Sequence, residues 1–94
     1  MSINKNCVYI LQCADQTLYT GWSQDLDHRL RAHNSGNGAK YTKARLPVIL
    51  VYHEDVESKS EALKREIQIK KLTRQQKLAL IARQKEMELN ADQT

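Results

Sequence analysis

Apolar positions along this chain follow two different periods. Residues 7–13, Cys-Val-Tyr-Ile-Leu-Gln-Cys, combine β-branched, aromatic and aliphatic side chains and read as a strand. Ala14-Asp15-Gln16 reads as a turn and residues 17–22, Thr-Leu-Tyr-Thr-Gly-Trp, as a second strand, so a hairpin is predicted. A two-residue turn at Asp15-Gln16 would pair position 9 with 22 and put Tyr9 and Tyr19 on opposite faces. Asp-Gln lacks the glycine that tight two-residue turns prefer. A longer turn is therefore expected, with an even register and both tyrosines on one face. Ser23 is the expected cap of a first helix, with Asp25 and Asp27 in its first turn and Gly36 just past its end. Residues 35–46, with Gly36 and Gly38, read as a loop. Pro47 enters a strand at 48–53, whose unbroken apolar run reads as the buried central strand. Ser58-Lys59-Ser60-Glu61 is a capping box for a second helix with Ala62, Leu63, Ile67 and Ile69 as its apolar stripe. Thr73-Arg74-Gln75-Gln76 is a second capping box, opening a third helix that carries Leu78, Ile81 and Ala82 on one face. The order β-β-α-β-α-α predicts one α+β domain with an antiparallel sheet, its core over about 6–84 and a frayed tail over 85–94.

Length and composition narrow the picture. The chain has 94 residues, 40% of them hydrophobic, and by area scaling buries about two-thirds of its unfolded surface, enough for one modest core. The longest aliphatic run, Val48-Ile49-Leu50-Val51, is far short of the ~20 residues that a membrane helix requires. Residues 1–6 lack the apolar stretch of a signal peptide, so a cytoplasmic protein with no membrane association is expected. Cys7 and Cys13 would lie about 20 Å apart on one extended strand, beyond disulfide reach. They are expected to be small buried hydrophobes in a reducing compartment.

The net charge of +4 is uneven. Residues 36–51 carry Lys40, Lys43 and Arg45 with no acid, and over 58–85 Lys and Arg far outnumber Glu61 and Glu66. One basic side is the footprint of a nucleic-acid binder, and also of an ordinary solvated Lys-rich helix. Individual positions carry more information. In the first helix Arg29 lies about 60° and His33 about 20° from Leu26, so both face the sheet side. In the second, Glu66 falls inside the apolar stripe. A buried carboxylate needs an Arg, a metal or a hydrogen-bond network; an ion pair with Arg29 or a lysine is the structural alternative. Tyr9, Tyr19, Arg29, His33 and Glu66 together contain the parts of a phosphodiester-hydrolysing site. These are a hard ligand for a divalent cation, phenol and imidazole for proton transfer, and a guanidinium for phosphate.

These residues resemble the GIY-YIG nuclease superfamily, and within it the small stand-alone bacterial members. Cys7-Val8-Tyr9 and Tyr19-Thr20-Gly21 are similar to its two tripeptides, and Arg29, His33 and Glu66 follow in order. Gly38-Ala39-Lys40-Tyr41-Thr42 is similar to a stretch in its small members, and the resemblance covers about residues 6–82. Cys7 stands where the family has Gly and Thr20 where it has Ile; no Asn beyond Glu66 matches that of many members. The resemblance implies a three-stranded antiparallel sheet flanked by helices and a site for a single Mg²⁺ or Mn²⁺ ion. It implies Tyr9 as general base with Tyr19 supporting it, Arg29 on the scissile phosphate, His33 as proton relay and Glu66 as metal ligand. Lys40 and Tyr41 would contact nucleic acid, and the charge pattern adds Lys43 and Arg45 to that set. The expected function is a metal-dependent endonuclease acting on DNA, in repair or processing. Its alternatives are a nucleic-acid-binding module with little activity of its own and a plain structural domain. A monomer is expected; larger members attach a separate DNA-binding domain, and none is expected here, so target choice would come from the core or from a protein partner.

Overall fold

The computed structural model describes residues 5–92. Their elements are β1 (Cys7–Gln12), β2 (Leu18–Ser23), α1 (Leu26–Asn34), α2 (Lys40–Lys43), β3 (Ile49–Asp55), α3 (Lys59–Lys70) and α4 (Arg74–Asp92). The strands form one antiparallel sheet in the order β2-β1-β3. This is the α+β architecture and element order expected, with one short helix added inside the 35–46 loop.

The hairpin turn has the longer form. Cys13 N–H donates to the Thr17 carbonyl at 2.9 Å, and Gln16 N–H to the Cys13 carbonyl at 2.9 Å. Gln16 takes a left-handed φ of 72°, a conformation usually given to Gly or Asn. The Asp15 carboxylate compensates by accepting from the Thr17 N–H at 3.1 Å and from its hydroxyl. Leu11 therefore pairs with Tyr19 and Tyr9 with Gly21, which puts both tyrosines on one face.

Side-chain alternation sorts β1 between two cores. Cys7, Tyr9, Leu11 and Cys13 face Leu26 and Leu30 of α1, with Val48 and Leu50. Val8 and Ile10 face Tyr52, Ala62 and Ile69 of α3, and Ile81 of α4. The central strand is thus β1, and β3, expected at the centre, lies at an edge. Its apolar run is not buried on both sides: Ile49 is 59% exposed, and a register shift opposite Ile10 and Leu11 absorbs Val51. Its outer edge is closed instead by α4. The Gln84 side chain donates to the His53 carbonyl at 2.6 Å and accepts from the His53 N–H at 3.2 Å, as a neighbouring strand would.

Three local expectations also change. Ser23 remains in the sheet, paired with Cys7, so the cap of α1 is Asp25, which accepts from the His28 N–H; Ser23 accepts from Asp25 N–H instead. On α3 the buried positions are Ala62 and Ile69, while Leu63 and Ile67 are largely exposed. The helix packs mainly on β2 and β1, which turns its stripe toward Glu66 and away from Ile67. On α4 only Ile81 of the expected face is buried, and Leu80 rather than Leu78 packs beside it. Of the two capping boxes, the second is complete, with Thr73 and Gln76 exchanging bonds at 2.9 and 3.2 Å; in the first Ser58 accepts from Glu61 N–H at 3.1 Å, but the Glu61 carboxylate reaches one residue further back and accepts from Glu57 N–H at 3.0 Å.

Gln84→Ala removes both bonds to the β3 edge. The expected result is fast hydrogen exchange at the His53 amide and a stability loss of about 1–3 kcal/mol in chemical denaturation. An unchanged His53 protection factor would show that α4 does not close this edge.

Candidate active site

Gly21 explains how a residue of the central strand reaches the sheet's edge. A Cβ at position 21 would stand 2.6 Å from the Tyr9 hydroxyl and 2.8 Å from the ring carbon that bears it. The Tyr9 ring therefore lies across the bare backbone of β2. Its hydroxyl meets His33 Nε2 at 3.0 Å. His33 comes from the third turn of α1 and is 1% exposed. It also contacts Tyr19 edge-on, with ring centroids 5.4 Å apart. Gly38 backs the imidazole so closely that a Cβ there would lie 2.4 Å from Nδ1. The Thr42 hydroxyl of α2 meets that nitrogen at 2.8 Å.

Tyr9, Tyr19, Trp22, Arg29, His33, Gly38, Ala39 and Glu66 line one cleft of about 250 Å³. It draws on both faces of the sheet and so wraps the free edge of β2. Arg29 reaches it from α1, and no acid pairs with Arg29 among the described residues. Glu66 reaches it from α3, its side chain only 17% exposed. The partner that its burial demanded is Lys70, at 3.5 Å. Lys70 is itself 54% exposed, and such an i,i+4 pair contributes only about 0.3–0.5 kcal/mol. A pair this weak leaves the carboxylate open to a more strongly bound cation.

Burial sets the protonation states. It pushes the Tyr9 phenol well above its ordinary value of 10.0; nearby Tyr19 adds to this and Arg29 opposes it. Burial, with the Arg29 charge behind it, holds His33 below its ordinary 6.5. At neutral pH the cleft thus contains an un-ionised phenol hydrogen-bonded to an uncharged imidazole.

The described residues contain no group of three or more His, Cys, Asp or Glu arranged to hold a metal. Glu66 is the one carboxylate that lines the cleft. That donor fits a hard divalent cation that keeps most of its own waters, and not a soft or fully caged one.

The remaining candidates lie beside the cleft. Lys40 and Lys43 are exposed on α2, directly after the cleft residues Gly38 and Ala39. Tyr41 stacks on Tyr19, with centroids 6.0 Å apart. The Arg45 guanidinium covers the Tyr41 ring at 3.8 Å, bonds Asp15 at 3.0 Å and donates to the Tyr41 carbonyl at 2.8 Å. It is a brace between α2 and the β1–β2 turn as the structure stands. Thr42, Trp22 and the purpose of Gly21 and Gly38 were not legible as site features. Thr42 reads as an ordinary hydroxyl in a loop, and a glycine's empty space shows only once its neighbour across the sheet is known.

A domain with this fold and this cleft is a GIY-YIG domain, and the sequence agrees: the family's catalytic-domain model matches residues 5–79. The chain belongs to the GIY-YIG family. It is 61% identical over 77 residues to the UPF0213 protein CPE1444 of Clostridium perfringens, covering 82% of this chain and 83% of that one. It is 60% identical over 80 residues to a UPF0213 protein of Syntrophus aciditrophicus, covering 84% and 92%. Two solution structures are similar. The UPF0213 protein BH0048 of Bacillus halodurans has TM-score 0.54, 44% identity and 83% coverage of each chain. The protein EF2693 of E. faecalis has TM-score 0.57 and 41% identity, covering 90% of this chain and 88% of that. Membership implies a nuclease domain, with nucleic acid as its partner and a divalent metal ion at its site.

Gly21→Ala forces the Tyr9 ring off His33 or the strands apart, and is expected to lose about 1–3 kcal/mol of stability by overpacking. Gly38→Ala should lose at least as much, because its Cβ would also stand 2.7 Å from the His33 backbone. A Gly21→Ala protein with the wild-type denaturation midpoint would show that Tyr9 does not cross β2.

Proposed function

We propose that this chain is a cytoplasmic endonuclease that hydrolyses DNA phosphodiester bonds with a single Mg²⁺ or Mn²⁺ ion, in DNA repair or processing. The observation that carries this reading is the buried 3.0 Å bond from Tyr9 to His33, which opens onto the same cleft as Arg29 and Glu66. Two buried free cysteines suit a reducing compartment.

Glu66 would hold the ion, which when bound supplies Lewis-acid stabilisation of charge on the phosphate. Arg29 binds the scissile phosphate and neutralises the charge that develops on it. Tyr9 accepts a proton from the attacking water as its own hydroxyl proton passes to His33. The water oxygen forms the new bond to phosphorus, the bond to the leaving nucleoside oxygen breaks, and that oxygen takes a proton from solvent. His33 then returns its proton to solvent through Tyr9. The phenol never has to ionise fully, which its raised pKa would oppose. Tyr19 shields the imidazole and keeps Tyr41 in place. Lys40 and Lys43 extend the phosphate contacts beyond the cleft, with Tyr41 on its rim and Arg45 joining them if it exchanges Asp15 for a phosphate.

On branched, nicked and single-stranded DNA with Mg²⁺ or Mn²⁺, Glu66→Ala should reduce cleavage roughly a thousandfold or more, as losing several kcal/mol of charge stabilisation demands. It should leave metal-free binding intact. Neutralising Lys40, Lys43 and Arg45 should flatten the plot of log K against log salt by up to about three units on duplex DNA. Retained cleavage in Glu66→Ala excludes Glu66 as the ligand; binding without cleavage by wild type leaves a nucleic-acid-binding module.

The pH profile separates His33 from Tyr9 as final proton acceptor. With His33 in that role, kcat/KM rises with pH through a pKa below 6.5 and is level by pH 8, because only neutral imidazole accepts the proton. A rate still climbing tenfold per unit above pH 9 would mean that the phenol must ionise first.

A further inference from the structure

His33 is buried at the cleft, so its hydrogen bonds decide which ring nitrogen carries the proton. It is 1% exposed and Thr42 is 0% exposed. Nε2 faces the Tyr9 hydroxyl at 3.0 Å, and Nδ1 faces the Thr42 hydroxyl at 2.8 Å. Gly38 is packed against Nδ1, which bars any other partner.

Thr42 has one proton and two polar neighbours. It donates to the Ala39 carbonyl at 3.1 Å, filling the lone pair left beside the one that accepts from Lys43 N–H. Ala39's carbonyl can only accept. Turning the Thr42 proton to His33 would leave two oxygens facing each other at 3.1 Å with no hydrogen between them. The imidazole, by contrast, can adapt through its tautomer. Thr42 therefore accepts from Nδ1–H. A neutral ring carries one N–H, so Nε2 holds a lone pair and Tyr9 donates to it.

We propose that Thr42 is a positioning residue: it fixes His33 as the Nδ1–H tautomer and so makes Nε2 the acceptor for the Tyr9 proton. Donation then runs one way, from Tyr9 to His33 to Thr42 to the Ala39 carbonyl. With the other tautomer, Nε2–H would donate to the phenol oxygen and block the transfer. The catalytic consequence rests on the nuclease reading; the tautomer does not.

The test is nitrogen-15 NMR of the histidine side chains in the full chain, without metal or nucleic acid, beside steady-state kinetics. Wild type should show Nδ1 protonated and Nε2 unprotonated at His33. Thr42→Val keeps the shape and removes the acceptor, so His33 should shift to Nε2–H, with kcat down roughly 10- to 100-fold and KM little changed. Thr42→Ser should restore both the tautomer and kcat. Wild type with Nε2 protonated overturns the assignment whatever the cleavage assay gives. Nδ1–H persisting in a folded Thr42→Val protein overturns the role of Thr42. If Thr42→Val does not fold, Thr42→Ser and the wild-type spectrum still decide: a serine variant with Nε2 protonated overturns the proposal. An inactive wild type with the expected spectrum defeats the nuclease reading alone.

Discussion

Tyr9 crosses β2 over Gly21, and much of the molecule is arranged by that crossing. The ring starts in the central strand, where both faces are covered, yet its hydroxyl emerges near the sheet's free edge. That route requires an even register between β1 and β2, which the turn supplies with Gln16 in a left-handed conformation. It requires a residue without a side chain opposite Tyr9. It also requires a buried partner for the hydroxyl, and α1 ends just far enough along to provide His33. Change the register by one residue and Tyr9 and Tyr19 separate to opposite faces, leaving α1 without its aromatic contacts.

Packing and electrostatics act together at this point. The layers that cover Tyr9 and His33 remove water from both, and that removal keeps each uncharged. A neutral imidazole keeps a lone pair open to the phenol proton, and the phenol would escape a full negative charge by taking a proton from water in the same step. Arg29 supplies the positive charge on the open side, where solvent can carry part of its field. Glu66 balances it from α3, loosely held by a lysine at the surface. The fixed groups are thus buried and neutral, and the charged groups line the mouth.

The edges of the sheet receive opposite treatment. On β3 the Gln84 side chain satisfies the backbone and blocks further pairing. On β2 the edge is left beside the cleft, with α3 rather than a strand next to it. One edge is therefore closed and the other left open to the cleft.

Much of this was legible in the sequence alone. Strand and helix periods, two capping boxes and the α+β order follow from local rules, because a period of two or 3.6 residues and a Ser-x-x-Glu box act over a few positions. Tyr9, Tyr19, Arg29, His33 and Glu66 could be named because their types and order carry chemistry that a core does not need. Strand order was not legible: the unbroken apolar run at 48–53 pointed to the centre, and only the helices that pack on the sheet decide that 7–13 lies there instead. Nor was the partner of each polar group. Lys70 rather than Arg29 pairs with Glu66, Asp15 engages Arg45, and Thr42 faces His33, each through distances that no local pattern encodes. Residue type limits what a side chain can donate or accept, and only the tertiary structure decides what stands 3 Å away to receive it.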